Sequence, residues 1–253
     1  MKKAIVFADT HTLLSQLKGG VVSKIYFSLF KTFIVRNVNR FLVRTFATAP
    51  ENHRILQLFY GINDELIENS AIGADSSVFW PDKNEGNLLR DALNIELRTK
   101  VLIYTGKLNA LKRPHLILEA IKQVENEIDI NLTIIFVGSK DDSYYKKYFN
   151  VDFCNPNIKF LIVDAVKNTE LYKYYSMADF AVFPAESTLS ALDAQLCELP
   201  VIMEEDDTNL LRLKEGGLIY KKGNIEDLAN KILNLLKDKE IFEELKKKGE
   251  IIF

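Results

Sequence analysis

From Lys100 onward the sequence alternates short, almost wholly apolar runs with amphipathic stretches, and that rhythm leaves few folds open. The apolar runs are "VLIYTG", "LTIIFVG", "IKFLIV", "FAVFP" and "PVIM". A strand with one face in water alternates apolar and polar residues, whereas a run apolar at nearly every position is buried on both faces. The intervening "PHLILEAIKQVENE", "TELYKYYSMA" and "SALDAQLCE", and the closing "IEDLANKILNLLKDKEIFEELKKKG", have helical character. Pro114 opens the first of these helices, where its missing N–H costs nothing, and Asn224 with Asp227 caps the last. Strands and helices in strict alternation give a parallel sheet covered on both faces. The expected class is α/β, with residues 100–253 forming one doubly wound, Rossmann-like domain.

The front of the chain is less regular. "AIVFAD" and "RFLVRTFAT" are short strands, and "APENHRILQLFYG" is a helix that Gly61 stops. Thr48 and Glu51 stand at capping-box spacing ahead of it. "SAIGADSSVFWP" is a strand end and turn, and "PDKNEGN" is polar and turn-forming. The expected division is therefore residues 1–80 as a partial α/β domain, 81–99 as a linker, and 100–253 as a complete domain. A domain of this type needs on the order of 150 residues. The first one is thus expected to be incomplete, making the chain a fragment, a short variant or one piece of a split protein.

Composition excludes some classes. A chain of 253 residues, 47% apolar and with a net charge of −2, gives no reason to expect nucleic acid as a partner. Cys154 and Cys197 lack metal or redox spacing and fit a reducing cytoplasm. "MKKAIVFADTH" is a strand rather than a signal peptide, and no run approaches the roughly 20 apolar residues of a membrane span. The expected location is cytoplasmic. Charge is nevertheless uneven: from Thr10 to Pro50 there is no acid, while Lys18, Lys24, Lys31, Arg36, Arg40 and Arg44 interleave with aromatic and branched residues. Such a segment, residues 18–44, suits the anionic inner face of a membrane. Its cations do not share one helical face, and half of it has strand character. A core helix and strand with solvated ends is the alternative, and both stay open.

In a doubly wound sheet, ligands lie outside the carboxyl ends of the strands. Three segments bring reactive residues to that edge. In "YTGKLNALKRP", Gly106 ends a strand, and Lys107 and Lys112 follow on one loop near a helix start, an arrangement that can hold a diphosphate. In "PAESTLSALDA", the hydroxyls of Ser187, Thr188 and Ser190 can line a polar ligand, and Glu186 or Asp193 can accept paired hydrogen bonds from vicinal sugar hydroxyls. In "FVGSK", Gly138 lets backbone approach a ligand closely. Each also has an ordinary role: solvated lysines, carboxylates at the positive end of a helix dipole, a glycine in a turn. Order along a shared edge distinguishes them.

That order resembles the retaining glycosyltransferases of the GT-B fold, most closely glycosyltransferase family 4, from about residue 60 to 249. "GKLNALK" resembles the family's diphosphate loop, with Lys107 where arginine is usual and Lys112 at its lysine. "SMADFAVFP", "LDAQLCELPVI" and "GGLIYKKGNIEDLANKI" are similar to further family segments, and "SAIGADSSVF" to the link between its two domains. The resemblance places Asp193 at the second acid of a Glu-x7-Glu motif, and makes "VFADTHT" the strand end that carries an acceptor-side histidine, His11. It implies a GT-B-like fold with a partial N-terminal Rossmann-like domain. It implies transfer of a sugar from a nucleotide sugar to a carbohydrate or lipid-linked acceptor with retained configuration. His11, Lys107 and Lys112 are the implied catalytic residues; Gly106, Lys107, Lys112, Gly138, Glu186, Ser187, Thr188, Leu189 and Asp193 are the implied donor-binding set.

The departures are specific. Ala185, not glutamate, stands eight residues before Asp193, and Glu186 is offset by one. Asp193 is one methylene shorter than the usual glutamate, and Glu198 replaces a glycine. With two lysines to neutralise the diphosphate and no metal-ligand cluster, neither a cofactor nor a metal is expected. Two other readings stay open: an inactive or partial module that binds nucleotide sugar and joins a protein partner supplying the front of the first domain, and a nucleotide-sugar epimerase on the same fold.

Overall fold

Ahead of residue 72, three strands pair in parallel in the order β1 (Ala4–Ala8), β2 (Leu42–Ala47), β3 (Ile67–Asn69). They belong to a computed structural model that describes residues 4–8, 20–70, 72–185, 188–213 and 216–249. The chain divides into two compact units, residues 1–72 and 73–253.

In the first unit, helix α1 (Val21–Phe30) continues through a π-helical turn, Lys31–Val35, and a last turn, Arg36–Asn39. No residue of Val21–Phe30 is buried, but Phe27 and Phe30 meet Phe59 and Tyr60, Val35 in the next turn is buried, and the strand half of the segment pairs in the sheet. Helix α2 (Pro50–Arg54) runs into a second π-helical turn, Ile55–Phe59, and Gly61 with φ of 66° ends it. The expected capping box does not form. Proline at the first helical position makes Ala49 the cap, and Thr48 Oγ1 instead accepts from Asn52 Nδ2 at 2.7 Å. The core of this unit is small: Ala47, Leu56, Ile62 and Ile67.

The second unit opens with a correction. The expected linker, 81–99, contains helix α3 (Lys83–Ala92). Asp82 caps it by accepting from the amides of Asn84 and Glu85 at 3.1 and 3.0 Å. Polar residues that suggested a linker are in fact its cap and outer face. Gly86 is there because a Cβ would lie 2.6 Å from the Ser176 carbonyl oxygen. Arg90 then anchors the helix. Its guanidinium donates to the carbonyls of Met177 and Thr99 at 2.7 and 3.0 Å and to Asp179 Oδ2 at 3.1 Å. Phe79 and Ile95 join the main core, so the unit starts well before Lys100.

The apolar runs singled out above are strands. After β4 (Lys100–Thr105) come α4 (His115–Val124), β5 (Leu132–Val137), α5 (Asp142–Tyr148), β6 (Ile158–Val163) and α6 (Leu171–Met177). Then follow β7 (Phe180–Phe183), α7 (Ser190–Leu196), β8 (Val201–Glu204), α8 (Asp207–Leu213), β9 (Gly217–Tyr220), α9 (Ile225–Lys237) and α10 (Lys239–Gly249). The strands are parallel and ordered β6-β5-β4-β7-β8-β9. Leu102, Ile103, Ile134, Ile135, Val182 and Ile202 are fully buried in the sheet. Each contributes about 1.5–3 kcal/mol by leaving water. Helix α9 buries Leu228, Ala229, Ile232, Leu235 and Leu236 along one stripe and packs on α4; Asn224 caps it as expected. From β4 the chain winds outward one way to β6, and from β7 the other way to β9. Strand order therefore reverses between β4 and β7, and a doubly wound sheet opens a ligand crevice beyond that point.

Candidate functional site

The loop after β4 is shaped by two glycines. Gly106 and Gly138 have φ of 141° and 154°, where side chains are strained. A Cβ on Gly138 would lie 1.9 Å from the Gly106 carbonyl oxygen, so the ends of β4 and β5 touch backbone to backbone. Beyond them the two loops are laced together. The Leu108 amide donates to the Ser139 carbonyl at 2.8 Å, and the Asp141 amide to the Leu108 carbonyl at 3.0 Å. Lys107 is exposed on this tie, its carbonyl accepting from the Tyr104 hydroxyl at 3.0 Å. Asn109 Oδ1 turns the loop by accepting from the amides of Leu111 and Lys112 at 3.2 and 3.0 Å. Lys112 is half-buried just before α4.

Arg113, next in the chain, has φ of 46°. That backbone favours glycine, and a side chain held there needs compensation. The guanidinium finds it across the end of β7: Arg113 Nη2 donates to Glu204 Oε1 and Oε2 at 3.3 and 3.2 Å. Glu204 ends β8 and is only 3% exposed. Its Oε1 also accepts from the Gly223 amide at 3.1 Å, and the Tyr220 hydroxyl, 3.4 Å from it, donates its proton to the Pro184 carbonyl. A buried carboxylate tolerates its site when it is paired and hydrogen-bonded in this way.

Asp193 lies in the first turn of α7, directly after β7. Burial pushes its carboxyl up to about 6. Among the described residues no donor hydrogen-bonds it, so its lone pairs are available. Its charge acts on the buried Tyr175 hydroxyl, which pairs with Thr105 Oγ1 at 2.7 Å and with Ser190. Thr105 ends β4, beside the reversal of strand order, so Asp193 acts there through its charge. Thr188 Oγ1 accepts from the Ser190 amide at 3.3 Å at the start of α7, and Leu189 is 47% exposed there. On the far side of the Lys112 loop, His115 is buried against Tyr148 and bonded to the Tyr144 hydroxyl. Burial, with Arg113 and Lys147 nearby, pushes its imidazole down to about 4.

The structure thus gathers Gly106, Lys107, Lys112, Gly138, Thr188, Leu189 and Asp193 at one sheet edge. His11, Glu186 and Ser187 lie outside the described residues. Arg113, Glu204, Tyr220 and the Thr105–Tyr175 pair carry no sequence motif. The available signal was an acid, Glu204, closing an otherwise apolar strand at the carboxyl edge. Chemically, this edge carries two lysines, closely approachable backbone and, in the first turn of α7, a carboxylate that can accept from hydroxyls.

A family model described as "Glycosyl transferases group 1" matches residues 87–251. Spore coat protein SA of Bacillus subtilis is 25% identical over 191 residues, covering 69% of this chain and 50% of that protein. D-inositol 3-phosphate glycosyltransferase of Corynebacterium diphtheriae is 26% identical over 179 residues, covering 67% of this chain and 40% of the relative. The chain thus spans about half the length of the curated relatives it matches. Among solved structures, Anabaena HepE in complex with UDP and glucose superimposes with a TM-score of 0.74 at 18% identity, covering 99% of this chain and 66% of that one. WaaG, a glycosyltransferase involved in lipopolysaccharide biosynthesis, gives 0.72 at 13%, with 99% and 70% covered. At these identities the structures establish the α/β, GT-B-like fold.

Proposed function

The chain belongs to the glycosyl transferases group 1 family by its match over residues 87–251, and on that premise we propose that it transfers a sugar from a nucleotide-sugar donor to a carbohydrate or lipid-linked acceptor with retained configuration. The observation that carries this reading is the convergence of the Gly106–Lys112 loop and the Asp193-bearing helix at the β4/β7 reversal. Family 4 is the branch its motifs resemble.

In this reading Lys107 and Lys112 take the donor diphosphate, with Gly106 and Gly138 admitting it close to the backbone. As the bond from the anomeric carbon to the diphosphate oxygen breaks, negative charge grows on the leaving group, and fixed cations there stabilise the transition state more than the ground state. The acceptor hydroxyl oxygen forms the new bond at the anomeric carbon and passes its proton to the departing diphosphate oxygen. Asp193 accepts from the ribose hydroxyls. Glu186, Ser187, Thr188 and Leu189 contact the sugar or phosphate, His11 serves the acceptor side, and no metal is required. The Arg113–Glu204 pair positions Lys112 by fixing the residue that follows it.

A second reading is a module that binds nucleotide sugar without turnover and joins a protein partner. Ala185 favours it, since a buried methyl stands where the family's first acid is usual. Incubation with a panel of nucleotide sugars separates them. Released nucleoside diphosphate with an acceptor present supports transfer, binding without release supports the module, and no binding overturns both.

A further inference from the structure

The first unit has two features that the donor reading leaves unused. One is the surface of α1: Val21, Val22, Ile25, Tyr26, Leu29 and Phe33 are each between 53% and 82% exposed. Their spacing puts them on one helical stripe, and soluble proteins rarely expose a contiguous apolar stripe without using it. The other is a cavity of about 220 Å³ behind the same helix, lined almost wholly by apolar groups, among them Phe30, Ile34, Val38, Leu42, Leu56 and Ile62. Ile34 and Val38 are also 49% and 41% exposed, so the cavity is reached from the surface beside the stripe. An apolar cavity on the order of 150 Å³ already stays dry and admits hydrocarbon.

Two further observations narrow the occupant. Thr45 lines the cavity, is 1% exposed, and its Oγ1 has no hydrogen-bond partner among the described residues. Buried hydroxyls are ordinarily bonded, so this one is a donor in waiting for an oxygen brought by a ligand. The segment is also cationic: Lys31, Arg36 and Arg40 are exposed, and no acid occurs from Thr10 to Pro50. A second copy of the chain laid on this face would set like charges against one another, whereas an anionic surface neutralises them.

We propose that α1 and the cavity behind it form a lipid site for an anionic bilayer. The apolar stripe lies at the headgroup boundary, and Arg36 and Arg40 meet lipid phosphates. One acyl chain enters between Ile34 and Val38, and its ester oxygen accepts from Thr45 Oγ1. The site stands apart from the donor reading and needs no turnover in the second unit.

The test uses the full chain with vesicles of phosphatidylcholine alone or mixed with phosphatidylglycerol. Cosedimentation is expected with the anionic vesicles only, and to weaken with added salt. Replacing Arg36 and Arg40 by Gln should lower the vesicle affinity roughly fivefold for each cation. Phe33→Ser on the exposed stripe should reduce binding without touching the core. Thr45→Val and Val38→Phe should cut uptake of a conjugated polyene fatty acid whose emission rises in apolar surroundings, with unchanged far-UV circular dichroism showing that the fold persists. Equal binding to both vesicle types, full binding by Phe33→Ser, or a dimer in sedimentation velocity would each overturn the proposal. UDP titration of the same samples keeps the two readings separate, because a chain that binds vesicles and no nucleotide loses only the donor assignment.

Discussion

Replacing Asp193 by asparagine should make the protein more stable and a worse binder of nucleoside diphosphate. Burial raises this carboxyl from 3.8 to about 6. At about 1.4 kcal/mol for each tenfold in proton affinity, ionising it at neutral pH costs the fold roughly 3 kcal/mol, reduced to about 2 by its remaining solvent contact. The amide offsets some of that gain by losing a negative charge near a helix start, about 0.3–1 kcal/mol. The net is about 1–2 kcal/mol of added stability above pH 7, or a rise in Tm of roughly 3–6 °C for a chain of this size. The pH dependence fixes the cause. A carboxyl raised in the fold destabilises as pH climbs from its unfolded value toward about 6. The difference between the Asp193→Asn variant and wild type should therefore open between about pH 4 and 6 and stay level above. His115 has the opposite trend, since an imidazole pushed down to about 4 costs stability as pH falls below about 6.5. Comparing the two proteins at each pH cancels it. Thermal denaturation across that range, with calorimetric UDP titration at pH 7.5, measures both effects. A variant that melts lower than wild type, or by an offset indifferent to pH, would refute the reasoning.

Other changes probe the remaining parts of the unit. Lys112→Ala should weaken nucleoside diphosphate binding by about 1.5–3 kcal/mol, the range for hydrogen bonds to charged groups, while Lys24→Ala leaves it unchanged by the same titration. Gly138→Ala should lower stability by about 3 kcal/mol or more, since its Cβ would lie 1.9 Å from the Gly106 carbonyl oxygen at a positive φ; urea unfolding reads this out, and a cost under 1 kcal/mol would show the two strand ends free to part. Arg90→Leu should cost about 1–3 kcal/mol by taking the donor from the buried Met177 and Thr99 carbonyls, while Asp179 keeps Lys100 Nζ and the Val101 amide, each at 2.8 Å. In urea that loss should take down the whole second unit, because Arg90 ties its first helix to the carbonyls of Met177 and Thr99.

The sheet was legible because burial on both faces writes itself into "VLIYTG" and "LTIIFVG" as unbroken apolar runs. The turn after β4 was legible for a similar reason: a glycine ending an apolar strand is a local signal. Helix α3 was not, since "PDKNEGN" carries linker chemistry, and its polar residues acquire meaning only against Ser176 and Asp179, some 90 positions away. Arg113 and Glu204 were hidden likewise, 91 residues apart, with neither suggesting a partner alone. The outward stripe of α1 escaped because spacing tells which residues share a face, not whether that face turns inward.

The Glu204 carboxylate gathers the Arg113 loop, β9 through Tyr220 and the turn at Gly223 around one negative charge. Drift at this rim is therefore expected to come in matched steps. A lineage that lost the arginine first would strand an anion in the dark interior, and one that lost the acid first would leave a strained backbone uncompensated. Only a route that replaces both together, with glycine at position 113, leaves this rim intact.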